Sequence, residues 1–484
     1  MTASQGKAKT PTSGPRVKHD ADYIFHDLTR SICPECKGVI DAQIIIRQNK
    51  VYMRKRCPTH GWFEGIISAD AEMYVDSIKF NKPGTIPLEF STEVKDGCPL
   101  DCGLCPEHKQ HICLGLIEVN TACNLNCPVC FANAGIGFSI TLEQAEGMLD
   151  RFVETEGEPE VIQFSGGEPT IHPQLLDMIQ AAKDRGIRQV MVNTNGVRIA
   201  RDDKFLESLA RLDPVIYFQF DGLRPETYLT IRGEDLLETK LKALDRLHQA
   251  GLDTVIVAAV EHGVNVDEVG ALLEFGLQHP AVKGVVFQPV THVGRHIPFD
   301  PMQRVTIPDV IHGIVEQTKG RFVLEDFVPV PCCFPTCQVN SYVFVDGKTT
   351  VPLPRMLDID EYLDYITNRA LPKAPDARRQ DKAGPGGVMV GIGSGRDRKN
   401  RRPVPVRLRS RPGPGLRAFP LEGPHFPNRH QGFHGCLYIQ RETGHEVLRG
   451  NSGTRRPDHS FLRLQLGGIP GDHPGAINPG AGNG

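Results

Sequence analysis

The sequence predicts an α/β fold: a partial (βα)6, TIM-like barrel, with a small cysteine-rich metal module before it and a low-complexity tail after it. Three observations carry this expectation. Between about 114 and 320, six apolar runs alternate with amphipathic helical segments, and such repeats imply a parallel sheet with right-handed crossovers. Residues 21–113 hold seven of the fourteen cysteines beside short strand-like runs such as 44–46, the pattern of a module stapled by metal. Gly and Pro make up 33 of the 104 residues 381–484, which is the range of low-complexity segments.

Composition bounds the rest. The chain has 484 residues, 39% hydrophobic and 23% charged, enough for two or three folding units. No run approaches the roughly 18 apolar residues of a membrane span, and the N-terminus lacks the apolar core of a secretory signal. The expected location is therefore cytoplasmic, with at most peripheral membrane contact, and the cysteines read as metal ligands rather than disulfides. The net charge of −3 is split. Residues 381–484 carry 14 Arg and 2 Lys against 7 acidic groups, so the first 380 residues are acidic. An Arg-rich tail with few aromatics makes a poor specific nucleic-acid reader.

The elements follow in order. Residues 1–20 read as a disordered arm and 21–113 as the metal module. The barrel strands fall at 116–119, 161–164, 190–192, 215–220, 255–260 and 285–287. Thr141 with Gln144 predicts a capping box, with Leu142, Ala145, Met148, Leu149, Phe152 and Val153 on one helix face. Pro173 marks a second helix start, and Asn265 with Glu268 opens a helix ending near Pro280. Six units suit an open barrel, whose site lies at the C-terminal strand ends. Residues 321–377 form a further cysteine-bearing segment. In 378–484 the alternation stops, and Gly, Pro and Arg, all GC-rich codons, match a GC-rich gene read in another frame.

The first strand runs into Cys123, Cys127 and Cys130, spaced C-x3-C-x2-C. Three thiolates in one loop suit three corners of an iron–sulfur cubane and leave one iron open. A zinc knuckle is the alternative. The second strand ends in Gly166, Gly167 and Glu168. The glycines let backbone approach a ligand, and the carboxylate can meet a ligand ammonium. Later strand ends add Asn193, Gln219, Asp221, Gln288 and Thr291. Cofactor or substrate contact is expected of Gln219 and Asp221, and turn formation is the competing role.

These two motifs, at the ends of strands one and two, resemble the radical S-adenosylmethionine (SAM) superfamily. The resemblance implies that Cys123, Cys127 and Cys130 bind a catalytic 4Fe–4S cluster, with SAM on the open iron. It implies one-electron cleavage of SAM to a 5′-deoxyadenosyl radical, with Gly166, Gly167 and Glu168 against the methionine amino end. A flavodoxin- or ferredoxin-type electron donor is implied too. Members often carry an aromatic residue before the third cysteine; here Val129 stands there, and Phe131 follows the cysteine instead.

Other cysteines extend the pattern. Cys33, Cys36, Cys57 and His60 pair a C-x2-C with a C-x2-H, a ribbon site for mononuclear zinc or iron. Cys98, Cys102 and Cys105 repeat the C-x3-C-x2-C spacing and read as an auxiliary 4Fe–4S site. Cys332, Cys333 and Cys337 form a third group. With Cys113 these make seven thiols outside the loop, the ribbon and Cys436, enough for one four-thiolate cluster and one short of two.

The run of motifs from about 30 to 375 resembles one subfamily, which includes tetraether lipid synthases and 7,8-dihydro-6-hydroxymethylpterin methyltransferases. The first resemblance implies carbon–carbon bond formation on a lipid alkyl chain, which is the leading expectation. The second implies carbon methylation of a pterin. The family continues past this point with an ordered, cysteine-bearing region, whereas this chain turns to Gly, Pro and Arg. That departure supports a third reading, a catalytically inactive metal-binding protein.

Overall fold

Alternating β-branched residues and tight turns make residues 24–68 an antiparallel sheet. Its strands β1 (Ile24–Ile32), β2 (Val39–Arg47), β3 (Lys50–Cys57) and β4 (Gly61–Ser68) pair in sequence order in a computed structural model. Gln48 and Asn49 join β2 to β3 with φ of 51° and 56°, the geometry of a two-residue hairpin turn. Asp70 caps the short helix α1 (Ala71–Asp76) through the N–H groups of Glu72 and Met73. The structure describes residues 20–356 apart from 82–85, 98–100, 102, 107–110, 136, 330–333 and 347–348, together with 359, 436–440 and 461–463.

All six expected barrel strands form: β5 (Leu114–Asn120), β6 (Val161–Gly166), β7 (Gln189–Thr194), β8 (Val215–Gln219), β9 (Thr254–Val260) and β10 (Val282–Pro289). They are parallel neighbours in chain order. Helices α2 (Leu142–Glu156), α3 (Leu175–Asp184), α4 (Asp203–Leu212), α5 (Pro225–Arg232), α6 (Leu237–Gln249), α7 (Val269–Gln278) and α8 (Ile307–Gln317) connect or follow them. Their apolar faces meet the outer faces of the strands in one continuous core that includes Phe152, Ile162, Phe164, Phe218 and Phe287. The capping box at Thr141 and Gln144 is present. Asn265 departs from its expected role. Its amide donates to the carbonyls of Asp221 and Ala259 at 2.8 Å each, so it cross-links two strand ends rather than capping α7.

The ribbon sheet docks on the segment after β10. Ile66 N–H donates to the Pro301 carbonyl at 3.0 Å, and Ala69 N–H to the Thr306 hydroxyl at 3.1 Å. Beyond α8, β11 (Val328–Pro329), β12 (Gln338–Asp346) and β13 (Thr349–Pro352) form an antiparallel extension. Beyond 380, where the strand–helix alternation is expected to stop, two short strands are described. β14 (Cys436–Gln440) pairs with β10 and β12, and β15 (Phe461–Arg463) with β5. Both edges of an open parallel sheet present unpaired N–H and C=O groups. The sequence Cys-Leu-Tyr-Ile-Gln is an apolar, strand-forming run in an otherwise Gly- and Pro-rich tail. No described helix is long and apolar enough to cross a membrane.

Candidate active site

At the C-terminal end of β5 the chain turns through a loop whose three cysteines, Cys123, Cys127 and Cys130, line one cavity. Backbone N–H groups already point at sulfur, Leu125 at Cys123 and Ala134 at Cys130, each at 3.4 Å. Burial pushes the Cys123 thiol up to about 11 and raises that of Cys127 as well. Without a metal the Cys123 and Cys127 sulfurs stay protonated at neutral pH, so a soft cation supplies what the loop lacks. The donor set therefore fits a cluster held by three thiolates.

Two arginines, the buried Arg232 and the half-buried Arg295, hold this loop. Arg295 forms a backbone bridge with Cys130, and its guanidinium donates to the carbonyls of Cys127 (3.1 Å) and Ala134 (2.8 Å). The strand-end loop carrying Arg295 is fixed in turn by His292, which bonds Glu261 at 2.8 Å and stacks on Phe299. Arg232, at the end of α5, donates to the Val129 carbonyl at 3.2 Å, and its charge favours the Cys127 thiolate against burial. Burial opposes the Arg232 charge, but Asp221 sustains it with two bonds of 2.7 Å. Asp221 is fully buried, also accepts from Ala259 N–H at 3.0 Å, and does not line the cavity. Its carboxylate thus faces Arg232, where the sequence reading had set it toward cofactor or substrate.

The glycine pair closes β6 onto the cysteine loop. Gly166 has φ of 131°, and a Cβ there would sit 2.2 Å from the Asn120 carbonyl oxygen; at Gly167 it would sit 2.1 Å from that of Ala122. The close approach is between two backbones, joined by Gly167 N–H to Asn120 (2.7 Å) and Glu168 N–H to Ala122 (2.8 Å). Glu168 is 1% exposed. Its oxygens accept from the N–H and hydroxyl of Thr170, the Thr194 hydroxyl and the Asn195 N–H, at 2.5–3.0 Å. The carboxylate is therefore the knot that ties the ends of β6 and β7, although it also borders the cavity.

The inward positions of the strands form the cavity floor, and they are rich in amides. Gln163, Asn193, Gln219 and Gln288 all line it, with Ser165 and Tyr217. Gln288 donates to the Tyr217 hydroxyl at 2.9 Å and Asn193 to Ser165 at 3.1 Å. Gln163 makes no side-chain hydrogen bond among the described residues. Behind Gln219 lies Lys240 of α6, fully buried, whose Nζ donates to the Asn195 carbonyl at 2.6 Å and to Gln219 Oε1 at 2.9 Å.

Burial pulls the Lys240 amine from 10.5 down to about 7. In the unfolded chain it keeps its proton to the higher value, so between the two the unfolded state binds more protons. Folding stability attributable to Lys240 therefore rises with pH across that window and is lowest below it. Urea unfolding of the wild type and Lys240→Met between pH 7 and 10 checks this. The wild type should gain on the variant by up to about 1.4 kcal/mol per pH unit, and parallel pH profiles would refute it.

A second constellation sits in the ribbon. The ligand atoms of Cys33, Cys36, Cys57 and His60 all lie within 4.8 Å of one another. His60 Nδ1 is 3.5 Å from the Cys33 sulfur and 3.4 Å from that of Cys57. Backbone N–H groups of His60 and Thr59 pull the Cys57 thiol down to about 6, so this site offers thiolate near neutral pH.

Comparison with known proteins decides the family. Residues 117–276 match the radical SAM superfamily, and residues 25–69 match the HMPTM N-terminal zinc ribbon domain. The chain is 36% identical over 370 residues to the 7,8-dihydro-6-hydroxymethylpterin dimethyltransferase of Methanocaldococcus jannaschii, spanning 70% of this chain and 72% of that one. The chain belongs to the radical SAM superfamily. A GTP 3′,8-cyclase of Chlorobaculum tepidum is 34% identical over 34% of this chain and 49% of its own. The crystal structure of Streptococcus suis SuiB covers 44% of this chain and 47% of its own, at 15% identity and a TM-score of 0.37.

A radical SAM enzyme works with a 4Fe–4S cluster and SAM, and this one carries a metal-binding ribbon besides. Of the expected auxiliary ligands, Cys98, Cys102, Cys332 and Cys333 lie outside the described residues. Cys105, Cys113 and Cys337 are buried. The sequence reading missed Arg232, Arg295, Lys240, Gln163 and Tyr217. Gln163 had a signal: it is a lone amide inside an apolar strand, in phase with the inward position of Ser165. Lys240 had one too, since it shares a helical stripe with Ala243, Leu244 and Leu247.

Proposed function

We propose that this radical SAM enzyme methylates a reduced pterin at carbon, with Cys123, Cys127 and Cys130 holding the catalytic cluster. The amide floor carries the choice. Burying Gln163, Asn193, Gln219 and Gln288 against an alkyl chain would leave polar atoms unpaired, at about 1–3 kcal/mol each. A pterin offers donors and acceptors along its edges and can satisfy several at once. The lipid reading, which led on sequence alone, asks for an apolar cavity instead. The pterin-modifying relative supports the same choice.

When bound, the cluster and SAM supply the one-electron activation of carbon and the methyl group. The chain's own residues bind and orient. Arg295 and the Asp221–Arg232 pair fix the cysteine loop, and Val257, Ala259 and Val290 give the cavity a dry wall beside the amides. The test is anaerobic reconstitution with a strong reductant, methyl-labelled SAM and 6-hydroxymethyl-7,8-dihydropterin, read by mass spectrometry. A pterin heavier by one or two labelled methyl groups is expected. SAM cleavage with an unchanged pterin would overturn the substrate and leave the cofactor chemistry standing.

A further inference from the structure

We infer that Lys240 is a positioning residue that turns the Gln219 amide, so that its NH2 faces the cavity and reads a hydrogen-bond acceptor on the ligand. An amide side chain can present either its oxygen or its nitrogen, and on an open strand end nothing decides between them. Here Lys240 decides. It does not line the cavity; it reaches from α6 behind β8, anchored on the Asn195 carbonyl at 2.6 Å. Its second bond, 2.9 Å to Gln219 Oε1, occupies the amide oxygen from behind. Phe218, whose ring centroid is 5.3 Å from Nζ, closes the niche. No solvent reaches the amine, so the amide oxygen has a fixed partner and the amide nitrogen is left for the cavity.

The acceptor it reads is a carbonyl oxygen, ring nitrogen or hydroxyl oxygen, borne either by SAM or by the pterin. The pterin arm rests on the function proposed above; the SAM arm does not. The test is equilibrium binding of each ligand separately to reconstituted wild type, Gln219→Glu, Lys240→Met and the double variant. Gln219→Glu keeps an oxygen for Lys240 but removes the donor, so it should weaken one ligand by about 10- to 100-fold, the range for a lost and mismatched hydrogen bond. Lys240→Met, which cannot touch the ligand, should weaken that same ligand by a few-fold. In the double variant the two effects should fall short of their product, because both act through one amide.

The ligand affected identifies the source of the acceptor. A wild type that binds SAM but no pterin sinks the pterin proposal, while the SAM series still judges the amide. Unchanged affinities in Gln219→Glu overturn the inference. So does a Lys240→Met loss that multiplies fully with that of Gln219→Glu, since it would mark Lys240 as a general structural support.

Discussion

Replacing Cys123, Cys127 and Cys130 by alanine abolishes reductive cleavage of SAM and leaves the ribbon its metal. The three sulfurs line one cavity, those of Cys123 and Cys130 receive backbone N–H bonds, and burial disfavours the thiolates of Cys123 and Cys127. Removing them removes the thiolates proposed to hold the cluster, and no other described cysteine lines that cavity. The ribbon ligands sit together in a separate sheet, so their metal should survive. Production of 5′-deoxyadenosine under reductant, with metal analysis of the same sample, checks both halves. Continued 5′-deoxyadenosine production by the triple variant would disprove the cluster assignment. Loss of both the activity and the ribbon metal would instead mean that the variant misfolds.

Arg232→Leu destabilises the enzyme by about 3–5 kcal/mol, the cost of leaving a buried carboxylate without its partner. Asp221 has no exposure, and two of its bonds go to this one guanidinium. The loss also frees the Val129 carbonyl between the second and third cysteines, so the cluster loop should loosen together with the core. Denaturant unfolding measures the first effect. In Asp221→Leu/Arg232→Leu no charge remains unpaired, and most of the stability should return. Equal losses in the single and double variants would show that the packing of the guanidinium, rather than its charge, is what counts. SAM affinity should follow the loop: weak in Arg232→Leu, and near normal in a variant of Asp221 that keeps the arginine seated.

Six apolar runs in period with six helices were enough to read the barrel, because each strand is bounded by its own turn chemistry and each helix by its own stripe. The cysteine loop, the ribbon ligands and the glycine pair were legible for the same reason: their spacing is local, and local spacing survives in one dimension. The roles of Asp221, Glu168 and Asn265 were not. A carboxylate after a strand reads as a ligand contact, but here arginine arrives 11 residues later to pair with Asp221, and Thr170 together with Thr194 and Asn195 from the end of β7 saturate Glu168. Nor did the sequence separate an alkyl chain from a pterin. The proposal of a pterin rests on Gln163, Asn193, Gln219 and Gln288 converging from four strands, which only the parallel register brings to one floor. Lys240 is the sharpest case. Its charge marks it for solvent, its helical phase marks it for the core, and only packing against β8 decided that a buried amine would hold an amide. Patterns along the chain set the elements. Which polar groups find one another at long range, and which are left facing the cavity, was decided by the fold, because desolvation allows a buried polar group to remain only where a partner is already in place.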